Sequence, residues 1–417
     1  MPTDSIFHAL SLSPDCVSAA QSQGFITPTA IQIDAIPELL DGRDLIATAP
    51  TGSGKTLAYC LPLIDLTSLS SANAKRDPRV LILVPTRELA AQVGDVLKGL
   101  VRNLGNQKIK LSIVFGGVSI NPQMIQLRGG CDIVVATPGR LLDLLESNAL
   151  HLSDVRTLVL DEADRLLDTG FTDELHRVLA YLPAKRQNVF FSATFPDALR
   201  ELATKHLHNA VELLGTHAAE QLGQIEQRAI DVDAAKRTQL LIHLFKISGW
   251  DRALVFVATK YASAHIAEKC NRAGLVAQAF NGDMSQGARK EALSAFRASR
   301  VRIIVTTDLA SRGIDIENLA VVVNYDLPRS ADDYTHRIGR TGRAGQTGVA
   351  ISFVSPQTQA HFRLIEKRQG HKVKRQRLIA FEPTAAAIAA QDPIGGIKSK
   401  RPNKKDKLRA LLAADQN

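Results

Sequence analysis

Short apolar runs rich in Val, Ile and Leu recur through the first half of the chain: "DLIATAP", "RVLILVPT", "LSIVFGG", "CDIVVATP", "RTLVLDEAD" and "NVFFSAT". Their apolar character is continuous rather than alternating, which marks strands buried on both faces. Amphipathic stretches such as "RELAAQVGDVLKGLVRNL" lie between several of them. This alternation predicts an α/β fold with a mostly parallel sheet and helices on both faces. The pattern fades after "LHNAVELLG", crosses the polar "THAAEQLGQIEQ", and restarts with "RALVFVAT", "LVAQAFNG", "RIIVTTD", "AVVVNYDLP" and "GVAISFVSP".

Two α/β domains are therefore expected, at 1–214 and 225–370, joined by a flexible linker at 215–224. A length of 417 residues agrees, being too great for one ordinary core. The halves share an architecture without a clear sequence repeat. Beyond Gly370 the composition changes to "HKVKRQRL", an Ala-rich stretch, a Gly pair and "KSKRPNKKDK", and 371–417 reads as a basic, disordered tail. Within it "KLRALLAA" has the makings of a short helix.

Charge sharpens this division. The net charge is +9, and from Glu366 onward thirteen Lys/Arg stand against five Asp/Glu, leaving the preceding residues at +1 (38 against 37). A near-neutral body with a basic tail fits a polyanion held by the tail, and it fits equally a solubilising tail or one that contacts protein partners. Cys16, Cys60, Cys131 and Cys270 are far apart and form no Cys-x-x-Cys pair, which argues against a zinc site or a disulfide framework. The start "MPTDSIFHAL" lacks a basic n-region, and no apolar run is long enough to span a bilayer. The expectation is a cytoplasmic protein with no membrane association.

Two stretches carry recognisable chemistry. "APTGSGKT" (49–56) follows a strand and opens a helix, the context of a phosphate-binding loop. Thr51, Gly52, Ser53 and Gly54 would wrap phosphates with backbone N–H groups, Lys55 would reach the β- and γ-phosphates, and the Thr56 hydroxyl would bind Mg²⁺. Ala49 stands where the general pattern has Gly. "VLDEAD" (159–164) ends an apolar run abruptly in two carboxylates at the carboxyl end of a strand, where α/β sheets bind ligands. Asp161 is placed to hold Mg²⁺, and Glu162 to orient and deprotonate an attacking water. A third stretch, "HRIGRTGRAG" (336–345), spaces Arg337, Arg340 and Arg343 three residues apart with no carboxylate among them, and so invites an anion from elsewhere.

With these motifs in order, the chain from about residue 7 to 355 resembles a DEAD-box RNA helicase of superfamily 2, bacterial type with a short basic tail. "GFITPTAIQ" (24–32) resembles the family's Q motif. "PTRELA", "GG" (116–117), "TPGR", "DEAD" and "SAT" follow in the first half. "LVFVATK", "NGDMSQGAR", "TTDLASRGID" and "HRIGRTGR" follow in the second. The resemblance implies two RecA-like domains with ATP and RNA bound across the cleft between them.

Carried onto this sequence, the resemblance gives Gln32 the adenine edge and Phe7 the adenine face, with Phe25 and Thr27 also on the nucleotide side. Asp315 would accept from the ribose hydroxyls. Ser192 and Thr194 with Asp164 would couple nucleotide state to closure. RNA contacts fall on Pro85, Thr86, Arg87, Gly117, Thr137, Gly139 and Arg140, then on Gly282, Asp283, Gln286, Arg289 and Thr307. Backbone N–H groups, hydroxyls and arginines suit phosphate and 2′-hydroxyl binding and carry little sequence information. Arg340 and Arg343 would meet the γ-phosphate held by the other domain, while His336 and Arg337 hold the interface. Asn281 replaces the family's usual His, and Thr27 stands where Lys or Arg is common.

The activity implied is ATP-dependent RNA unwinding with Mg²⁺. A DNA-translocating motor of the same superfamily is opposed by the DEAD tetrad and the Q motif. A non-catalytic RNA clamp is opposed by intact Lys55, Glu162, Arg340 and Arg343.

Overall fold

The computed structural model describes residues 6–49, 52–69, 77–104, 109–167, 171–214, 225–311, 319–342 and 348–384. The expected linker 215–224, Thr51, Asp315, Arg343 and the tail beyond 384 lie outside the described residues.

Among the described residues two seven-stranded sheets divide the chain, and all their strand pairings are parallel. The first comprises β1 Leu45–Thr48, β2 Val80–Leu83, β3 Leu111–Val114, β4 Ile133–Ala136, β5 Thr157–Leu160, β6 Gln187–Ser192 and β7 Val211–Leu214, in the order β3-β4-β2-β5-β6-β1-β7. The second comprises β8 Ile225–Asp231, β9 Ala253–Phe256, β10 Ala277–Phe280, β11 Ile303–Thr306, β12 Val321–Asn324, β13 Gly348–Val354 and β14 Lys374–Gln376, ordered β10-β11-β9-β12-β13-β8-β14.

The continuous apolar runs follow from this layering. Successive side chains on a strand point to opposite faces, and here both faces are covered. Val80 and Ile82 enter one core while Leu81 and Leu83 enter the other. Ala253 and Val255 are likewise separated from Leu254 and Phe256 in the second sheet.

Two strands lie outside the apolar runs, and the second body ends later than the expected Gly370. β8, "IEQRAID", buries Ile225, Ala229 and Ile230 but carries polar, partly exposed residues between and after them. β14 lies within the stretch assigned to the disordered tail, yet it pairs with β8 as the sheet's last strand. Beyond it Leu378 and Phe381 pack against the core, and the Thr384 amide donates to Asp233 at 3.1 Å. The second body therefore continues to Thr384, because an open sheet edge and an apolar patch are covered by doing so.

Candidate active site and RNA-facing surface

The strand order sets β5, β6 and β1 side by side, so the three loops leaving their carboxyl ends share one rim. From β1 comes the phosphate loop, with the Ala49 amide donating to the Ser192 carbonyl at 2.9 Å. Gly52 and Gly54 adopt φ of +81° and +94°, which favour glycine. At Gly54 a Cβ would fall 2.4 Å from Gln32 Nε2 and 2.8 Å from Thr29 Oγ1, so any other residue would be strained and would displace those side chains. Lys55, 6% exposed, opens the helix Lys55–Leu69 and donates to the Ala49 carbonyl at 2.7 Å. Burial lowers its pKa, while Asp161, Glu162 and Asp164 pull it back up.

From β5 comes Asp161. Its Oδ1 accepts from the Glu162 amide at 2.9 Å and its Oδ2 from the Tyr59 hydroxyl at 2.8 Å. Tyr59, fully buried one helical turn after Lys55, was not singled out from the sequence. A lone hydroxyl in "LAYCLPLI" was the only signal. Burial raises the Asp161 pKa above the usual carboxylate range, against the pull of Lys55. Glu162 sits at φ +51°, a left-handed conformation that costs a residue with a side chain about 1–2 kcal/mol. Its carboxylate meets Arg165 at 3.2 Å, another residue the motif reading passed over although it directly follows the tetrad. Burial pushes the Glu162 pKa up, but Arg165, Arg340 and His336 outweigh it and hold the carboxyl ionised.

From β6 come Ser192 and Thr194. The Asp164 amide donates to Ser192 Oγ at 3.2 Å, and the Thr194 amide and hydroxyl donate to Asp164 Oδ2 at 3.0 and 2.6 Å. His336 of the second body reaches the same oxygen, with Nε2 at 3.4 Å. Burial opposes ionisation of Asp164, but His336, Thr194 and Arg165 hold its pKa well below the carboxylate range. Burial and Arg165 lower the His336 pKa against the pull of Asp164 and Glu162, which favours the neutral imidazole more than in a free histidine.

The remaining nucleotide-side residues divide. Gln32 uses its Oε1 to accept from the Thr29 amide at 2.9 Å and its Nε2 to donate to the Gly54 carbonyl at 3.1 Å, tying the helix start to the phosphate loop. Phe25 is half-buried and Thr27 exposed. Phe7, expected to cover the adenine face, is instead fully buried in the first body's core. An apolar ring gains more there than at a wet rim, so it offers no face to a ligand.

The RNA assignments also divide. Thr86 caps the helix Arg87–Arg102 through the Leu89 amide, 3.3 Å, and Arg87 folds over Gly117. Pro85 and Thr137 are buried, while Gly139 is half-buried. Arg140, 8% exposed, donates from Nη2 to the Val118 carbonyl at 2.7 Å. Its Nε and Nη1 are buried without a hydrogen-bond partner, Nε lying 3.4 Å from Asp143. In the second body, Gln286 Oε1 is likewise buried without a partner. Gly282 and Asp283 are exposed, Asp283 pairing with Lys260, and Thr307 is half-buried. Asn281, the departure from the family's His, keeps that turn in place. Its Oδ1 accepts from the Asp283 amide at 3.1 Å and its Nδ2 donates to Ser263 at 3.0 Å.

Two arginines sit elsewhere than expected. Arg289 is 8% exposed and gives Nε to Glu88 of the first body at 2.7 Å. Its other nitrogens donate to the carbonyls of Asn281 and Ala310, so it latches the bodies rather than facing an open RNA groove. Arg337 does not bridge the bodies. It pairs with Asp308 through two hydrogen bonds, 2.5 and 2.7 Å, and donates to Asn324 and the Asp326 carbonyl, all in its own body. That clamp fixes the helix Ala331–Ile338 from which His336 projects and after which Arg340 follows.

Comparison with known proteins agrees with this geometry. The family description "DEAD/DEAH box helicase" matches residues 29–202, and "Helicase conserved C-terminal domain" matches 236–345. DEAD-box ATP-dependent RNA helicase CshA of Geobacillus kaustophilus is 36% identical over 374 residues, 89% of this chain and 78% of that protein. This chain belongs to the DEAD-box helicase family. ATP-dependent RNA helicase DeaD of Mycobacterium tuberculosis is 40% identical over 361 residues, and the alignment takes in 87% of this chain but only 63% of that relative's length. Among solved structures, Saccharomyces cerevisiae Dbp5 bound to RNA and ADP BeF3 superposes with a TM-score of 0.79 at 33% identity, covering 89% of this chain and 95% of that one. Two RecA-like bodies, each a parallel sheet clothed with helices, are thus the fold of this DEAD-box chain.

Proposed function

We propose that this DEAD-box chain is an RNA-stimulated ATPase that unwinds short RNA duplexes locally and uses hydrolysis to release the RNA. Residues 1–214 form the ATP-binding body and 225–384 the body that closes upon it, with 215–224 as the linker. One observation carries the reading: the second body brings His336 within 3.4 Å of Asp164 and the charge of Arg340 onto Glu162. The acids of one body are completed by an imidazole and a guanidinium of the other, so hydrolysis depends on closure.

ATP binds with its phosphates in the 49–56 loop. Lys55 then exchanges the Ala49 carbonyl for phosphate oxygens, and Gln32, already fixed to that loop, presents its remaining amide capacity to the adenine edge. Mg²⁺ bound with the nucleotide would add positive charge at the phosphate oxygens, with the Thr56 hydroxyl and Asp161 as its holders. Asp161 fits that role because its two oxygens are oriented by the Glu162 amide and the Tyr59 hydroxyl. Glu162 orients the attacking water and takes its proton late, as charge leaves the γ-phosphoryl group. Arg340, with Arg343 beside it in sequence, stabilises that charge. Such arginines contribute on the order of 10³–10⁵ in rate.

RNA runs over the opposite half of the rim. The buried Arg140 nitrogens without acceptors, together with Thr86, Gly117, Thr137, Gly282, Asp283, Gln286 and Thr307, suit phosphates and 2′-hydroxyls rather than base edges. Among the described residues no helix is long and apolar enough to cross a membrane. All four cysteines are buried free thiols, a state that a reducing compartment maintains, and we place the protein in the cytoplasm.

ATP hydrolysis measured without nucleic acid, with RNA and with matched DNA tests the proposal. RNA should stimulate and DNA should not. Glu162→Gln should keep ATP and RNA binding while cutting turnover by about 10²–10⁴. Normal turnover in that variant would remove Glu162 from the mechanism.

A further inference from the structure

On the far edge of the second sheet, the helix Gln359–Gln369, the turn at Gly370 and the segment leading into β14 enclose a groove of about 650 Å³. Arg363 and Lys367 stand one turn apart on the helix, and His371, Lys372 and Arg375 face them. Four permanent cations thus line a space whose one carboxylate, Glu366, is already taken by the Val373 amide at 2.9 Å and by Arg375 at 3.3 Å. Arg375 is held in place, stacked 4.6 Å over the Phe362 ring, with its buried Nη1 lacking a hydrogen-bond partner and 3.6 Å from Asp231. We propose that this groove is an auxiliary anchor for RNA phosphates, outside the cleft, that holds RNA continuing beyond the segment being unwound.

The chemistry favours RNA over a protein partner. Interface hot spots are buried aromatic or aliphatic anchors in pockets, whereas the largely apolar walls of this groove are the alkyl stems of charged and polar side chains, with Val373 as the lone apolar residue and no aromatic ring among the lining residues. Repeated cations around an open channel match a repeating phosphate backbone. The location separates it from the cleft. β14 and β10 are the two outer strands of the sheet, with five strands between them, roughly 29 Å at about 4.8 Å per strand. The turn at 281–283 lies beyond β10 on the opposite edge, so an RNA that only fills the cleft does not reach the groove. The sequence around and after the groove is basic as well: 366–384 carries six Lys/Arg against two Asp/Glu, and 385–417 seven against three.

The inference rests on RNA being the substrate, and the experiment separates the two. RNA-stimulated ATPase of the full chain is measured against a single strand of about ten nucleotides and one of about forty containing the same sequence at its centre. The variants are Arg363→Glu/Lys367→Glu and its neutral counterpart Arg363→Gln/Lys367→Gln, all at exposed helix positions. Half-activation by the short strand should be unchanged. Half-activation by the long strand should need several-fold more RNA in the Gln pair and more again in the Glu pair. Its log–log salt slope should be shallower by about 1.4, for two phosphates released at about 0.7 each. Long-strand curves that coincide with those of the unaltered chain would overturn the anchor, and a groove for a small phosphorylated molecule or an acidic protein would give that result. Equal shifts for both strands would overturn it too, by showing that the charges act on the cleft. No stimulation of the unaltered chain by either strand would instead refute the underlying RNA-dependent activity.

Discussion

Glu88→Ala probes what holds the two bodies together. Glu88 and Arg289 lie 201 positions apart in the chain, meet at 2.7 Å and are 13% and 10% exposed. Removing one partner of a fully buried ion pair costs about 3–5 kcal/mol, mostly because the other charge is stranded. Less is at stake here. Arg289 keeps its carbonyl acceptors at Asn281 and Ala310 and its place 4.3 Å over the Phe280 ring, and it reaches water when the bodies part. A charge-assisted hydrogen bond of about 1.5–3 kcal/mol is the appropriate scale, and it is lost from the closed arrangement alone. At about 2 kcal/mol the closed-to-open ratio falls about thirtyfold. In the mechanism proposed above tight RNA binding requires closure, so affinity for labelled RNA with a non-hydrolysable ATP analogue should drop by that order, as read by fluorescence anisotropy. Affinity without nucleotide and the thermal midpoint should stay close to those of the unaltered protein. Unchanged affinity with the analogue, or an equal drop without it, would refute the latch.

Tyr59→Phe removes the hydroxyl that orients Asp161 while keeping the ring, so the Mg²⁺ concentration for half-maximal hydrolysis should rise about tenfold or more with ATP-independent folding intact. Closure should weaken as pH falls from about 7.5 to 5.5: His336 has its pKa lowered in the closed arrangement, so below its ordinary value of about 6.5 the open form binds the extra proton. Analogue-dependent RNA affinity measured across that range checks the sign, and His336→Gln should flatten the profile. Deleting 385–417 should leave the melting temperature unchanged, whereas deleting 371–417 removes β14, Leu378 and Phe381 and should cost at least about 2 kcal/mol, read as a midpoint several degrees lower.

The central strands were legible because burial on both faces leaves no polar position to confuse the pattern. β2, "VLIL", and β4, "IVVA", are buried throughout. β8 and β14 were not, since strands near a sheet edge keep one side toward solvent and "IEQRAID" and "KRQ" read as surface. The phosphate loop and Asp161 were legible for a related reason. Each follows a buried strand at its carboxyl end, so local pattern fixes both the element and the rim it serves. Tyr59 and Arg165 escaped because their partners are set by helix geometry and by the turn at Glu162, and neither residue type stands out where it occurs.

The arginines show where such reading stops. A guanidinium that suits a phosphate suits a carboxylate equally well, and residue type does not decide between them. Arg337, Arg289 and Arg340 sit in motifs of one character, yet the first finds Asp308 inside its own body and the second finds Glu88 across the cleft. The third lays its charge on Glu162, the carboxylate beside the phosphate site. What separates them is which acid the packing brings within reach, a property of two sheets in contact rather than of any stretch of chain. Satisfying Arg337 locally has a consequence for Arg340 three residues on. Because the Asp308 and Asn324 bonds hold the helix Ala331–Ile338 rigidly on its sheet, His336 and Arg340 move with the second body as a whole. Their distance from Glu162 is then governed by closure, which is the dependence that a switch driven by RNA and ATP requires.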